Sequence, residues 1–130
     1  MNETRQTAVR ASAELIVITK AYDLVRELTT RVGKYPRSHR FLLGDRTLNA
    51  AYDLIELLVE AKYRSDKMAL LDRANLLLER MRFQVRLAHD EKLLNPSGYG
   101  MVARQMDEVG RLIGGWKKSR AKPADVMRDA

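Results

Sequence analysis

Cysteine is absent from all 130 residues. That excludes disulfide scaffolding, thiol catalysis and cysteine-based metal sites, and it suits a reducing compartment. Histidine occurs only twice, at His39 and His89. Neither stands in an HExxH or ExxH spacing, so the common helical metal sites lack their ligands. There is no P-loop and no G-x-G-x-x-G run, which leaves phosphate-loop and dinucleotide chemistry without support. No stretch approaches ~18 uninterrupted apolar residues, so no membrane span is expected. Residues 1–12 carry Glu3, Arg5 and Arg10 without an apolar run, which argues against a signal peptide. The expectation is a cytoplasmic protein with no cofactor, no metal and no catalytic residue.

What the chain does have is charge and helical periodicity. A charged fraction of 32% beside 45% hydrophobic residues describes an amphipathic helical protein rather than a disordered one. The net charge of +7 makes nucleic acid the leading partner class. Over half of that excess lies in residues 31–46, where Arg31, Lys34, Arg37, Arg40 and Arg46 face a single acid, Asp45. Guanidinium forks match phosphate oxygens, and a helix start adds oriented N–H donors. The same stretch could equally be a solvated basic cap.

Four helical patterns are spaced along one domain. Leu15, Ile18, Tyr22, Val25, Leu28 and Val32 predict a first helix over about residues 13–32, closed by Gly33 at C′. Phe41, Leu48, Ala51, Ile55, Leu58 and Val59 predict a second, with Ser38 as N-cap, fading near Tyr63. Leu71, Ala74, Leu77, Leu78, Met81, Val85 and Ala88 mark a third. Val102, Met106, Val109, Ile113 and Trp116 mark a fourth, capped by Asn95 or Ser97. Long helices with short links predict an all-α, up-down-up-down four-helix bundle over residues 13–118, preceded by an extension over 1–12 and followed by a basic, mobile tail over 119–130.

This topology gathers Lys34, Arg37, Arg40 and Lys92 at one end and Lys62, Arg64, Lys67 and the basic tail at the other. Arg82 and Arg86 stand four apart on one helix face, where like charges repel unless an anion or an acid offsets them. Gly110 and Gly114 lie one turn apart, with Gly115 and Trp116 beside them. The glycines either pack tightly within the bundle or admit a helix from another protomer, for which Trp116 would be the anchor. Tyr35 and Phe41 could stack on unpaired bases, but as aromatics beside a helix they are expected in the core.

The spacing from Arg82 to His89 resembles the R-x4-6-H element of HEPN ribonucleases, with His as acid-base catalyst and Arg steadying phosphate. Phe83 departs from the polar residue that often follows that arginine.

A second resemblance covers about residues 13–118. The stretch Tyr35-Pro36-Arg37-Ser38-His39-Arg40-Phe41-Leu42-Leu43-Gly44-Asp45-Arg46, the element Met81-Arg82-Phe83-Gln84-Val85-Arg86-Leu87-Ala88, and the ending Glu108-Val109-Gly110-Arg111-Leu112-Ile113-Gly114-Gly115-Trp116-Lys117 resemble the accessory variability determinant (Avd) family of diversity-generating retroelements. The Gly-Gly-Trp-Lys ending favours that branch over relatives encoded in ribosomal RNA intervening sequences. The resemblance implies a non-enzymatic bundle that assembles into a basic homopentamer. It also implies binding of the retroelement's reverse transcriptase and template RNA to support error-prone cDNA synthesis in mutagenic retrohoming. By that resemblance Arg82 and Arg86 fall on the family's basic helix element and Arg37, Arg40 and Arg46 on its loop-helix element; the charge pattern adds Lys34, Arg111, Lys117, Lys118 and Arg120 as candidate nucleic-acid or reverse-transcriptase contacts, and the glycine strip makes Gly110, Gly114, Gly115 and Trp116 the candidate oligomer interface. The rival readings are a HEPN-like ribonuclease and a purely structural homo-oligomer whose arginines make intersubunit salt bridges.

Overall fold

Regular apolar spacing with few interior breakers drives nearly every segment of this chain into helix. The computed structural model describes residues 2–120, apart from most side chains before Ala13. Helix α1 spans Asn2–Gly33. Three segments, Arg37–His39, Arg40–Gly44 and Asp45–Tyr63, then follow without a break as one helix, α2. Helix α3 spans Lys67–Asp90 and α4 spans Pro96–Arg120. Each helix packs on its chain neighbours, and α1 closes the square against α4, giving the up-down-up-down four-helix bundle.

The helix ends correct the sequence reading in three places and agree with it in one. Helix α1 begins at Asn2 rather than near residue 13. Gly33 ends α1 without left-handed geometry. The turn after it is instead tightened by Lys34 N–H to the Arg31 carbonyl (3.1 Å) and Tyr35 N–H to the Val32 carbonyl (2.9 Å). The cap of α2 is the extended Pro36, not Ser38, because proline has no N–H to lose at a helix entrance. At α4 the expected Asn95 cap forms, its Oδ1 accepting the Gly98 N–H at 2.7 Å. The expected tail falls outside the described residues beyond Arg120, while Ser119 and Arg120 belong to α4.

The link from α3 to α4 turns on Lys92, which holds φ 64°. Leu93 N–H reaches back to the Ala88 carbonyl and Lys92 N–H to that of His89, the paired bonds of a Schellman stop. An L side chain is strained in this left-handed geometry. Lys92→Gly is therefore expected to raise stability by about 0.5–1 kcal/mol, read as a higher urea midpoint with an unchanged slope.

The core follows the predicted stripes of α3 and α4 closely. Leu71, Ala74, Leu78, Met81, Val85 and Ala88 from α3 meet Val102, Met106, Val109, Ile113 and Trp116 from α4. In α1 the buried stripe is Val17, Ala21, Leu24, Leu28 and Val32, one flank over from the expected one, and in α2 it is Ala50, Ala51, Leu54, Leu57, Leu58 and Ala61. Leu15 and Tyr22, expected inside, are exposed, as are Tyr52 and Val59; Ile18, Val25, Leu48 and Ile55 are only partly covered.

These residues share one surface. Ile16 lines the groove of α1 toward α4, and Glu56 and Glu60 line the groove of α2 toward α3. At ~100° per residue, the stripe Leu15, Ile18, Tyr22, Val25 therefore lies on the opposite flank of α1, facing the side of α2 that carries Leu48, Tyr52, Ile55 and Val59. A second exposed apolar stripe, Leu76, Phe83 and Leu87, runs along α3 directly opposite its core face. No helix among the described residues is long and apolar enough to cross a membrane.

Candidate nucleic-acid interface

The α1–α2 turn carries the densest basic cluster, and an irregularity in α2 shapes it. Asp45 N–H bonds to the Arg40 carbonyl five residues back, so Arg40–Gly44 form a single π-helical turn. Gly44 faces into the bundle: a Cβ there would stand 2.6 Å from Val32 Cγ1, so only glycine lets α2 approach α1 this closely. The extra residue taken up by the π turn rotates everything before it by about one residue's worth of helix, ~100°. Phe41 and Leu42 point outward, 57% and 73% exposed, which corrects the expectation that Phe41 belongs to the core. Tyr35 is buried as expected, and burial raises its hydroxyl pKa above the ordinary tyrosine value.

The guanidiniums of Arg37 and Arg40 lie 5.7 and 5.8 Å from the centre of the Phe41 ring. Among the described residues, Lys34, Arg37, Arg40 and Arg46 form no ion pair with a carboxylate, although Asp45 adjoins them in sequence. Arg31, at the edge of this cluster, is held by Glu27 at 2.8 Å. Its guanidinium occupies the space that a side chain at Gly98 would need. Arg31 thus belongs to the packing, and the four residues after it are available to an anion.

On α3 the arginine pair divides. Arg82 spans to α4, where Nη1 donates to Asp107 Oδ1, and Nε stands 3.1 Å from Glu79 Oε1, close but not aligned as a hydrogen bond. Its Nη2 would stand 3.0 Å from a Cβ at Gly110, and Leu78 Cδ2 would stand 3.1 Å from the same atom. Gly110 thus fits tight packing within the bundle, the first of the two readings of the glycine strip. Arg86 has no carboxylate partner among the described residues and borders a shallow cavity of about 390 Å³ with Phe83 and Tyr99. Arg82→Ala is expected to cost ~1 kcal/mol and Arg86→Ala less than ~0.5 kcal/mol, separable by denaturant titration of the two single variants.

The opposite end is tied down by its own charges. Lys117 Nζ reaches Asp72 Oδ1 at 2.5 Å, and Arg120 Nη2 reaches Glu14 Oε1 at 2.8 Å, joining α4 to α3 and to α1. Arg64 bonds Glu60 and Asp66, which together raise its pKa, and Lys67 Nζ caps α2 by donating to the carbonyls of Ala61 and Lys62. Of the remaining basic candidates on α4, Arg111 and Lys118 have no carboxylate partner among the described residues. Trp116 is 6% exposed, a core residue of α4. Its expected role as an anchor for another protomer is corrected, since the ring already fills the bundle. A Cβ at Gly114 or Gly115 would meet nothing within 4 Å, so these two positions remain open to an approaching surface.

A family model described as bAvd-like matches residues 15–120. The chain belongs to that family. A search of curated proteins gives no match.

Membership in the bAvd-like family bears out the resemblance to the accessory proteins of diversity-generating retroelements. The surroundings of His89 give it a packing role. Its Nδ1 donates to the Leu94 carbonyl at 3.1 Å, and its ring stacks on Tyr99 with centroids 4.5 Å apart, so the imidazole fastens the α3–α4 link. Arg82 is meanwhile engaged by Asp107 and Glu79, and the cavity it borders is lined by Tyr99 but not by His89.

Sequence reasoning found the basic cluster of this bAvd-like chain but missed the π turn and both exposed apolar stripes. The stripes did leave a signal. Residues 15–18, 21–22, 24–25 and 28 of α1 are apolar over far more than the ~100° a single buried face needs.

Proposed function

We propose that the protein is a homo-oligomeric adaptor of a diversity-generating retroelement. It binds template RNA through phosphate contacts and holds the reverse transcriptase on a separate surface, supporting error-prone cDNA synthesis in mutagenic retrohoming. The observation that carries this reading is the sorting of the basic side chains. Lys117 and Arg120 are engaged in ties between helices and Arg82 in another, whereas Lys34, Arg37, Arg40 and Arg46 converge at one end without acid partners among the described residues. Such a cluster recognises phosphate charge and leaves bases unread, so selectivity comes from RNA shape. Arg86, Arg111 and Lys118 extend the basic surface.

The two exposed apolar stripes support self-association. They lie on different sides of the bundle, so one copy's α1–α2 surface meets the next copy's α3 stripe in a head-to-tail contact that closes into a ring. A pentamer is the ring size that the family resemblance implies, and the open backbone at Gly114 and Gly115 adds a further place for close approach.

The test is cDNA synthesis reconstituted from purified reverse transcriptase, template RNA and this protein. Replacing Arg37, Arg40 and Arg46 together by Ala is expected to abolish both RNA capture and cDNA yield while the helical content stays unchanged. His89→Ala is expected to retain cDNA yield. An undiminished yield from the triple variant refutes the assignment of this cluster.

A further inference from the structure

Phe41 is an anomaly within the basic cluster. Phe41 lies within the π turn over Arg40–Gly44 with its ring 57% exposed to solvent, between two arginines. Two guanidiniums converge on the ring, from Arg37 at 5.7 Å and Arg40 at 5.8 Å, although among the described residues neither has a carboxylate to hold it there and the two repel each other. A group that settles on this spot must offer a flat π surface to the ring and, within a few ångströms, negative charge to the two cations. A nucleotide carries both on one unit. A protein segment would have to supply an aromatic and an acid in register.

We propose that Phe41 is a stacking platform for an unpaired base of the bound nucleic acid, with Arg37 and Arg40 holding the phosphates on either side of that base. The assignment rests on the nucleic-acid binding proposed above and adds the preference that phosphate contacts alone cannot give, single strand over duplex. In a duplex the bases are already stacked on one another and present no free face to Phe41, while the phosphates remain accessible to Arg37, Arg40 and Lys34.

The experiment is a fluorescence-anisotropy titration of the full chain with two probes, an unstructured oligouridylate of ~16 nucleotides and an RNA duplex of the same length. Phe41→Ala is expected to weaken oligouridylate binding about tenfold while duplex affinity holds, and Phe41→Tyr, which keeps the ring, restores it. Because Phe41 is solvent-exposed, neither variant disturbs the core, and circular dichroism of both verifies it. The salt dependence of the Phe41→Ala variant stays that of the wild type, since no cation is removed. Equal losses for both probes, or no loss for either, overturn the platform while leaving phosphate binding intact. So does loss of reverse-transcriptase capture with RNA affinity unchanged, which would assign Phe41 to the protein partner. A wild-type chain that binds neither probe overturns the nucleic-acid reading itself, and the platform with it.

Discussion

A single glutamate at Tyr22, or at Phe83, is expected to convert the ring proposed above into monomers of 14.9 kDa. Tyr22 is 54% exposed in the centre of the α1–α2 surface, and Phe83 is 68% exposed in the centre of the α3 stripe. Each aromatic that enters an interface removes ~150–250 Å² of surface from water, and a carboxylate in its place must be desolvated at a cost of several kcal/mol. In a head-to-tail ring the substitution recurs at every contact, so a per-contact penalty of ~4 kcal/mol, about a thousandfold in affinity, leaves no assembled species at micromolar concentration. Both side chains stand outside the core, so the helical signal of the variants matches the wild type. Light scattering reads the outcome. A wild-type protein that is itself monomeric at micromolar concentration disproves the ring, and a variant that stays assembled removes its surface from the interface.

The second large effect is on RNA affinity as salt rises. Lys34, Arg37, Arg40 and Arg46 supply four cations per protomer, and each neutralised phosphate of a single strand contributes ~0.7 to the slope of log affinity against log salt. If one protomer's cluster makes the contact, affinity falls ~50-fold between about 50 and 200 mM salt; if two neighbouring protomers share the strand, it falls ~10³-fold or more. The larger figure is expected, because a ring presents several copies of the cluster to one RNA. Replacing Arg37, Arg40 and Arg46 by Ala reduces the slope as well as the affinity. Binding that does not respond to salt rules out phosphate contacts as the source of affinity.

The sequence by itself determined the helices, their order and the bundle, because apolar spacing at helical period is a local property and short links leave antiparallel packing as the compact solution. It also determined the interior of α3 and α4, where the longest run of apolar residues at helical spacing is the face that became core. The basic cluster over residues 31–46 was equally legible, being contiguous in the chain.

In α1 and α2 the apolar residues cover two adjacent flanks. Whether Leu15 and Tyr22 or Val17 and Leu24 became core depended on which flank a neighbouring helix covered. Charge pairing was likewise beyond local reading: Arg82 is neutralised by a residue 25 positions away and Arg120 by one 106 positions away. The same holds for Trp116, whose burial depends on the surfaces packed around α4, and for Phe41. The Phe41 ring faces solvent beside the π turn that forms where Gly44 packs closely on Val32 of another helix, and that contact is not local in the chain. Spacing along a chain fixes which residues can share a face; only packing between helices fixes which faces are covered and which are left to solvent.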